Sequence, residues 1–176
     1  MGDDWFLPGM MVFALFLDLI AWPYLAIFIH EFGHAAAAKL VGLSPTHFIV
    51  GYPDEDLDGP LFSFQAFGCA VECWPLPWGG ATLFSKMPTD RLKLFFIAIA
   101  GPLMDVLVIV ACGLLWRYTF IRLGLFFVIV SQSLNVLCNL IPRSIRHDGV
   151  CYPNDSKIVL QLLVGKQPAI SGPPES

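Results

Sequence analysis

Three stretches of the chain carry almost no charge, and they set its architecture. From Phe6 to Ile29 the one charged side chain is Asp18, and the helical pattern runs on through "HEFGHAAAAKLVG" until Gly42 and the Ser44-Pro45 pair. This predicts one helix over about residues 6–42, straight or kinked near Pro23, whose first part is long enough to cross a hydrocarbon core. From Leu94 to Leu115, "LFFIAIAGPLMDVLVIVACGLL" predicts a second span with a single charge, Asp105, and a Gly-Pro pair that loosens the backbone ladder. A third span is predicted over 123–141, "LGLFFVIVSQSLNVLCNLI". It carries Ser131, Asn135 and Asn139 at steps of four, one polar stripe on one helical face. In lipid such a stripe faces other helices or a water-filled cavity, and it is a candidate route for water.

Between the first two spans the pattern changes. Residues 44–93 are rich in turn formers: "GYPDEDLDGPLF" reads as a solvated acidic loop, and "CWPLPWGGATLF" as irregular backbone running into a short strand. Alternation in "THFIVGY" and "FSFQAFGCAVE" predicts further short strands. The expected fold is therefore an α-helical polytopic membrane protein, a three-transmembrane-helix core with a small strand-containing insert, forming one domain over residues 1–166. Residues 167–176, "QPAISGPPES", are expected to be a disordered tail.

Composition strengthens the membrane reading. Of 176 residues 56% are hydrophobic and 14% charged, and the mean hydropathy is +0.69, above the usual range of soluble domains. The opening "MGDDWFLPGM" lacks a basic n-region, so no removable signal peptide is expected. Five cysteines are an odd set, two of them in apolar segments, and do not read as a disulfide framework; Cys69 and Cys73 alone are half a metal site. A net charge of -4 without basic patches argues against nucleic acid. With the N-terminus outside, Lys39, Lys86, Arg91, Lys93, Arg143, Arg146, Lys157 and Lys166 fall on the cytoplasmic side and Arg117 and Arg122 outside. This bias predicts a multi-pass protein with the far end of the first helix toward the cytoplasm.

That far end carries the chemistry. In "HEFGH", His30 and His34 are four residues apart, so on a helix both imidazoles leave one face and can bind one metal ion, with zinc the natural choice. Glu31 points about a quarter turn away, placed to take a proton from a zinc-bound water and pass it to a leaving amine. A hydrolytic zinc needs three protein ligands and an open position. His47, His147, Asp18, Asp105, Asp148 and Asp155 remain as candidates; Asp18 lies roughly 18 Å from His30 along the helix and cannot reach. The segment after the third span, "NLIPRSIRHDGVCYPNDSKIVLQLL", offers two aspartates.

Three pieces in order, "HEFGHAAAAKLVGL", "AGPLMD", and "NLIP" followed by an aspartate, make the chain resemble the site-2 protease family of intramembrane zinc metalloproteases. The insert matches more loosely, through "PLPWGGATLF". The resemblance implies three core helices, zinc below the membrane surface on His30, His34 and an aspartate, Glu31 as base, and cleavage of membrane-embedded segments of other proteins. It also implies that Asn139 helps bind the substrate carbonyl or steady the oxyanion; the alternative for Asn139 is an interhelical hydrogen bond or a helix cap. Asp105 stands where the family commonly has asparagine. Of the two aspartates, Asp155 is favoured as ligand because it heads the apolar run "SKIVLQLL", at a helix N-terminus, whereas a turn accounts for Asp148.

A peptide bond inside a helix is shielded, so a substrate must unwind first. The strand expected in "GGATLF", Gly79 to Phe84, can pair with it by strand addition, or else pack in a hairpin of its own domain. The implied partners are a membrane protein substrate with a transmembrane segment and the lipid bilayer. The alternative to an active protease is a catalytically inactive relative that binds membrane-protein segments as a regulator or chaperone. An intact Glu31 favours the enzyme, and the confinement of ligands to one level disfavours a metal transporter.

Overall fold

The computed structural model describes residues 6–52, 59–66, 68–84, 88–118, 122–147 and 150–168. Its elements are α1 (Phe6–Leu40), β1 (Pro45–Tyr52), β2 (Phe62–Ala66), β3 (Cys69–Cys73), β4 (Leu76–Phe84), α2 (Arg91–Leu115), α3 (Arg122–Leu140), β5 (Ser144–His147), β6 (Val150–Pro153) and α4 (Asp155–Leu163). The acidic stretch 53–58, Asp148 and the end of the tail, 169–176, lie outside the described residues.

α2 and α3 are each long and apolar enough to cross a membrane. On α2, Leu103, Leu107, Val110 and Leu114 are 53 to 68% exposed, and their spacing aligns them on one outward face. Leu123, Phe126, Val130, Leu134 and Leu137 form a matching outward stripe on α3. A soluble core helix buries such faces; hydrocarbon leaves them at no cost. α1 remains helical through Pro23, as the charge-free run predicts.

β1 to β4 form a mixed sheet in the order β2-β3-β1-β4, with β1 parallel to β3 and antiparallel to β4. Two expectations change here. "FSFQAFGCAVE" is two strands, because Gly68, at a φ of 78° that would strain other residues, turns the chain back so that β2 pairs with β3. "LPW", read as irregular, is already strand: β4 starts at Leu76 and takes an edge of the sheet, where the missing N–H of Pro77 is tolerated. A second small sheet, the β5–β6 pair, lies in a segment for which no strand is expected from pattern.

α1 sits between these layers. Its Tyr24, Ile27, Phe28, Phe32 and Ala35 pack on Phe48, Val50 and Val71 of the sheet. Farther along the helices, Trp22 joins Val108 and Cys112 of α2 and Leu125, Val128 and Ile129 of α3 in a second apolar cluster. Burying both sides of α1 forces its polar residues to find partners inside the protein.

Candidate metal centre

His30, Glu31 and His34 are 4, 5 and 6% exposed, deep between α1, α2 and the sheet. The crossing of α1 and α2 permits this because it is lined with glycine. A Cβ on Gly33 would stand 2.6 Å from the Ala100 carbonyl oxygen, and one on Gly101 would run into the His34 ring. The Gly-Pro pair of α2 thus makes room for two imidazoles.

Each imidazole is fixed through Nδ1. His34 Nδ1 is 2.7 Å from the Ile97 carbonyl oxygen, which can only accept, so His34 donates there and turns Nε2 inward. His30 Nδ1 is 2.7 Å from Oδ2 of Asp105, which is fully buried and also receives a hydrogen bond from Asn135 Nδ2 at 3.2 Å. Asp105 is therefore the carboxylate behind His30, and Asn135 is the contact that steadies it from α3.

The inward atoms converge. His30 Nε2 and His34 Nε2 are 3.2 Å apart, and Asp155 Oδ2 lies 3.0 Å from the first and 3.3 Å from the second. With both Nδ1 atoms engaged as donors, this triangle presents three lone pairs to one point, an arrangement that calls for a cation. The chemistry fits zinc: two imidazole nitrogens and a carboxylate are its usual donors, and bonds of about 2.0–2.1 Å in a tetrahedron place donors about 3.3 Å apart. Asn139 Nδ2 lies 3.4 Å from His30 Nε2, beside the triangle.

Asp155 reaches this point because α4 is anchored at its first turn. Asn154 caps the helix by accepting from Lys157 N, accepts from Arg143 N at 2.9 Å, and donates to the Ile141 carbonyl at 2.9 Å, tying the start of α4 to the end of α3. Burial opposes ionisation of Asp155, yet the adjacent His34 and His30, when protonated, outweigh it and hold the carboxyl well below the usual carboxylate range.

Glu31 is held from the other side. Thr82 Oγ1 of β4 is 2.8 Å from Glu31 Oε2 and donates to it. Gly80, on the same strand, leaves space that a Cβ would contest with the Glu31 side chain at 2.8 Å. The ligand-capable atoms of His30, Glu31 and His34 all lie within 4.8 Å of one another.

The structure thus brings together His30, Glu31, His34, Asn139 and Asp155. His47 lies on β1 and Asp18 far up α1, neither in this group. Thr82, Ile97, Gly101 and Asn154 were not legible as site residues. Asn154 carried a signal as an N-cap type directly ahead of an apolar run, Thr82 lies in the strand "GGATLF" and Gly101 in the piece "AGPLMD", while Ile97 had none. Cys69 and Cys73 are free thiols on β3.

A buried His-Glu-His cluster on one helical turn, beside two helices long and apolar enough to cross a membrane, is an arrangement that suits a zinc metallopeptidase. The chain belongs to Peptidase family M50, the site-2 protease family, whose match covers residues 19–141 and so includes His30, Glu31, His34, Asp105 and Asn139. Family membership and the cluster together imply zinc as the cofactor. Over 112 residues, 60% of this chain, the sequence is 27% identical to "Putative zinc metalloprotease slr1821" of Synechocystis sp. (strain ATCC 27184 / PCC 6803 / Kazusa). The chain spans 27% of that protein's length.

Proposed function

We propose that this chain is an intramembrane zinc metalloprotease that hydrolyses peptide bonds in or near transmembrane segments of membrane protein substrates. The observation that carries the reading is the triangle of His30 Nε2, His34 Nε2 and Asp155 Oδ2, with edges of 3.0 to 3.3 Å and the Glu31 carboxylate beside it. His30, His34 and Asp155 would hold zinc, which when bound supplies Lewis acidity and makes water nucleophilic near neutral pH.

The remaining work falls to the chain's own groups. Glu31 accepts the proton of the attacking water and returns it to the amine nitrogen as the peptide bond breaks. The hydrogen bond from Thr82 keeps one carboxylate oxygen occupied and the other free for that transfer. Asn139, next to the triangle, is placed to donate its amide N–H to the substrate carbonyl as negative charge develops, where scarce water makes such a bond count most.

α1, α2 and α3 form the membrane-spanning core in this reading. His34 and His30 lie about 8 and 14 Å along α1 from Lys39, below the membrane surface. Lys39, Arg91 and Lys93 mark the cytoplasmic ends of α1 and α2, while exposed Tyr118 with Trp116 fits the opposite interface. An unwound substrate would lie along β4, whose sole strand partner among the described residues is β1, leaving an edge for strand addition directly beside Glu31.

The test is zinc content and cleavage of membrane-spanning model peptides by detergent-purified protein. Wild type is expected to hold one zinc and cleave, His34→Ala and Asp155→Ala to lose zinc, and Glu31→Gln to keep zinc but not cleave. Zinc-free, well-folded wild type, or full cleavage by Glu31→Gln, would refute the assignment.

A further inference from the structure

A cavity of about 380 Å³ opens between α2, α3 and α4, walled by Ala98, Pro102, Val136, Leu140, Val159 and Leu160. Its polar lining includes Asn139 and Asp155, the two residues within 3.4 and 3.0 Å of His30 Nε2. The cavity therefore adjoins the metal centre through Asn139 and Asp155, and its walls come from α2, α3, α4 and Pro142 rather than from β4.

We infer that this cavity is the subsite for the substrate side chain next to the scissile bond, selecting a large apolar residue such as leucine or phenylalanine. The inference rests on the reading of the triangle as a zinc site. Its volume is at the low end for small-molecule pockets, which suits one large side chain with its adjoining backbone. The apolar walls offer a charged or amide side chain nothing to replace its hydration, so such residues are rejected. The carboxylate at the polar end disfavours the phosphate of a lipid headgroup while remaining compatible with a neutral peptide. A peptide bond at the triangle would then meet Glu31 and β4 with its backbone and this cavity with a side chain. Specificity thus comes from α2, α3 and α4, with β4 gripping backbone irrespective of sequence.

Short peptide hydroxamates test this, since the hydroxamate binds zinc whatever side chain it carries. Two series are used, with glycine, valine, leucine, phenylalanine or aspartate on either side of the zinc-binding group, and Kd is measured on zinc-loaded, detergent-solubilised full chain. In one series the leucine or phenylalanine probe is expected to bind about 10–100-fold more tightly than the glycine probe. Val159→Phe fills the cavity from α4 and Val136→Phe from α3; either, eluting as a folded monodisperse protein, should collapse the leucine-to-glycine ratio. Val159→Ala should shift the preference toward phenylalanine. Equal binding of glycine and leucine probes in both series, or a ratio that neither filling variant changes, overturns the inference and leaves the zinc centre standing. If no hydroxamate binds, the zinc reading fails and takes this inference with it.

Discussion

Asp105 Oδ2 stands 2.7 Å from His30 Nδ1, joining the second apolar helix to the first ligand-type residue of the motif. The Asp105 oxygen behind His30 accepts from Nδ1–H, which favours that tautomer and turns Nε2 toward the triangle. Asp105→Ala should weaken zinc affinity by about 10–100-fold. Asp105→Asn should retain most of it, since the amide oxygen still accepts from Nδ1. A zinc titration against a competing chelator distinguishes them; equal affinity in all three proteins would show that Asp105 does not orient the ring.

Gly101 faces the imidazoles so closely that any added methyl group enters the His34 ring. Gly101→Ala is therefore expected to lose zinc while α2 itself, which gains helix propensity, remains helical. Zinc per chain and far-ultraviolet circular dichroism measured together check this. Full zinc with unaltered helicity would mean that α1 and α2 separate more readily than the packing suggests.

Thr82→Val preserves the β-branched shape on β4 and removes the hydroxyl that donates to Glu31. Hydrogen bonds to charged groups contribute about 1.5–3 kcal/mol, so a fall in kcat of roughly tenfold or more is expected with zinc retained. Thr82→Ser should restore most of the rate. Loss of zinc in Thr82→Val would point instead to a structural role.

Acid should release the metal through the histidines. Zinc needs His30 and His34 deprotonated at Nε2, so protons compete and affinity falls as pH falls. Asp155, held ionised below its ordinary range by the imidazoles, does not itself limit zinc retention at mildly acidic pH. Retained zinc plotted against pH should drop more steeply than a single protonation allows. A one-proton curve would indicate that one histidine alone titrates in competition with the metal.

The spacing of His30, Glu31 and His34 needed nothing beyond helical periodicity to be read, because residues four apart on one turn meet wherever the helix lies. The apolar runs behind α2 and α3 were equally plain, since each is nearly charge-free along its whole length. Asn135 shows where local reading stopped. Its place on a polar stripe was visible, but its contact with Asp105 depends on how α3 packs on α2, which periodicity does not specify.

The sequence by itself determined the helices, the motif and an aspartate poised at the start of a helix, all consequences of order along one segment. The tertiary structure decided which groups meet: Asp105 with His30 across 75 positions, Asp155 with His30 across 125, and Thr82 with Glu31 across 51. Contacts at such separations follow from close helix crossing at Gly101 and from the turn anchored by Asn154, where packing and hydrogen bonding between distant segments set distances that no local pattern encodes.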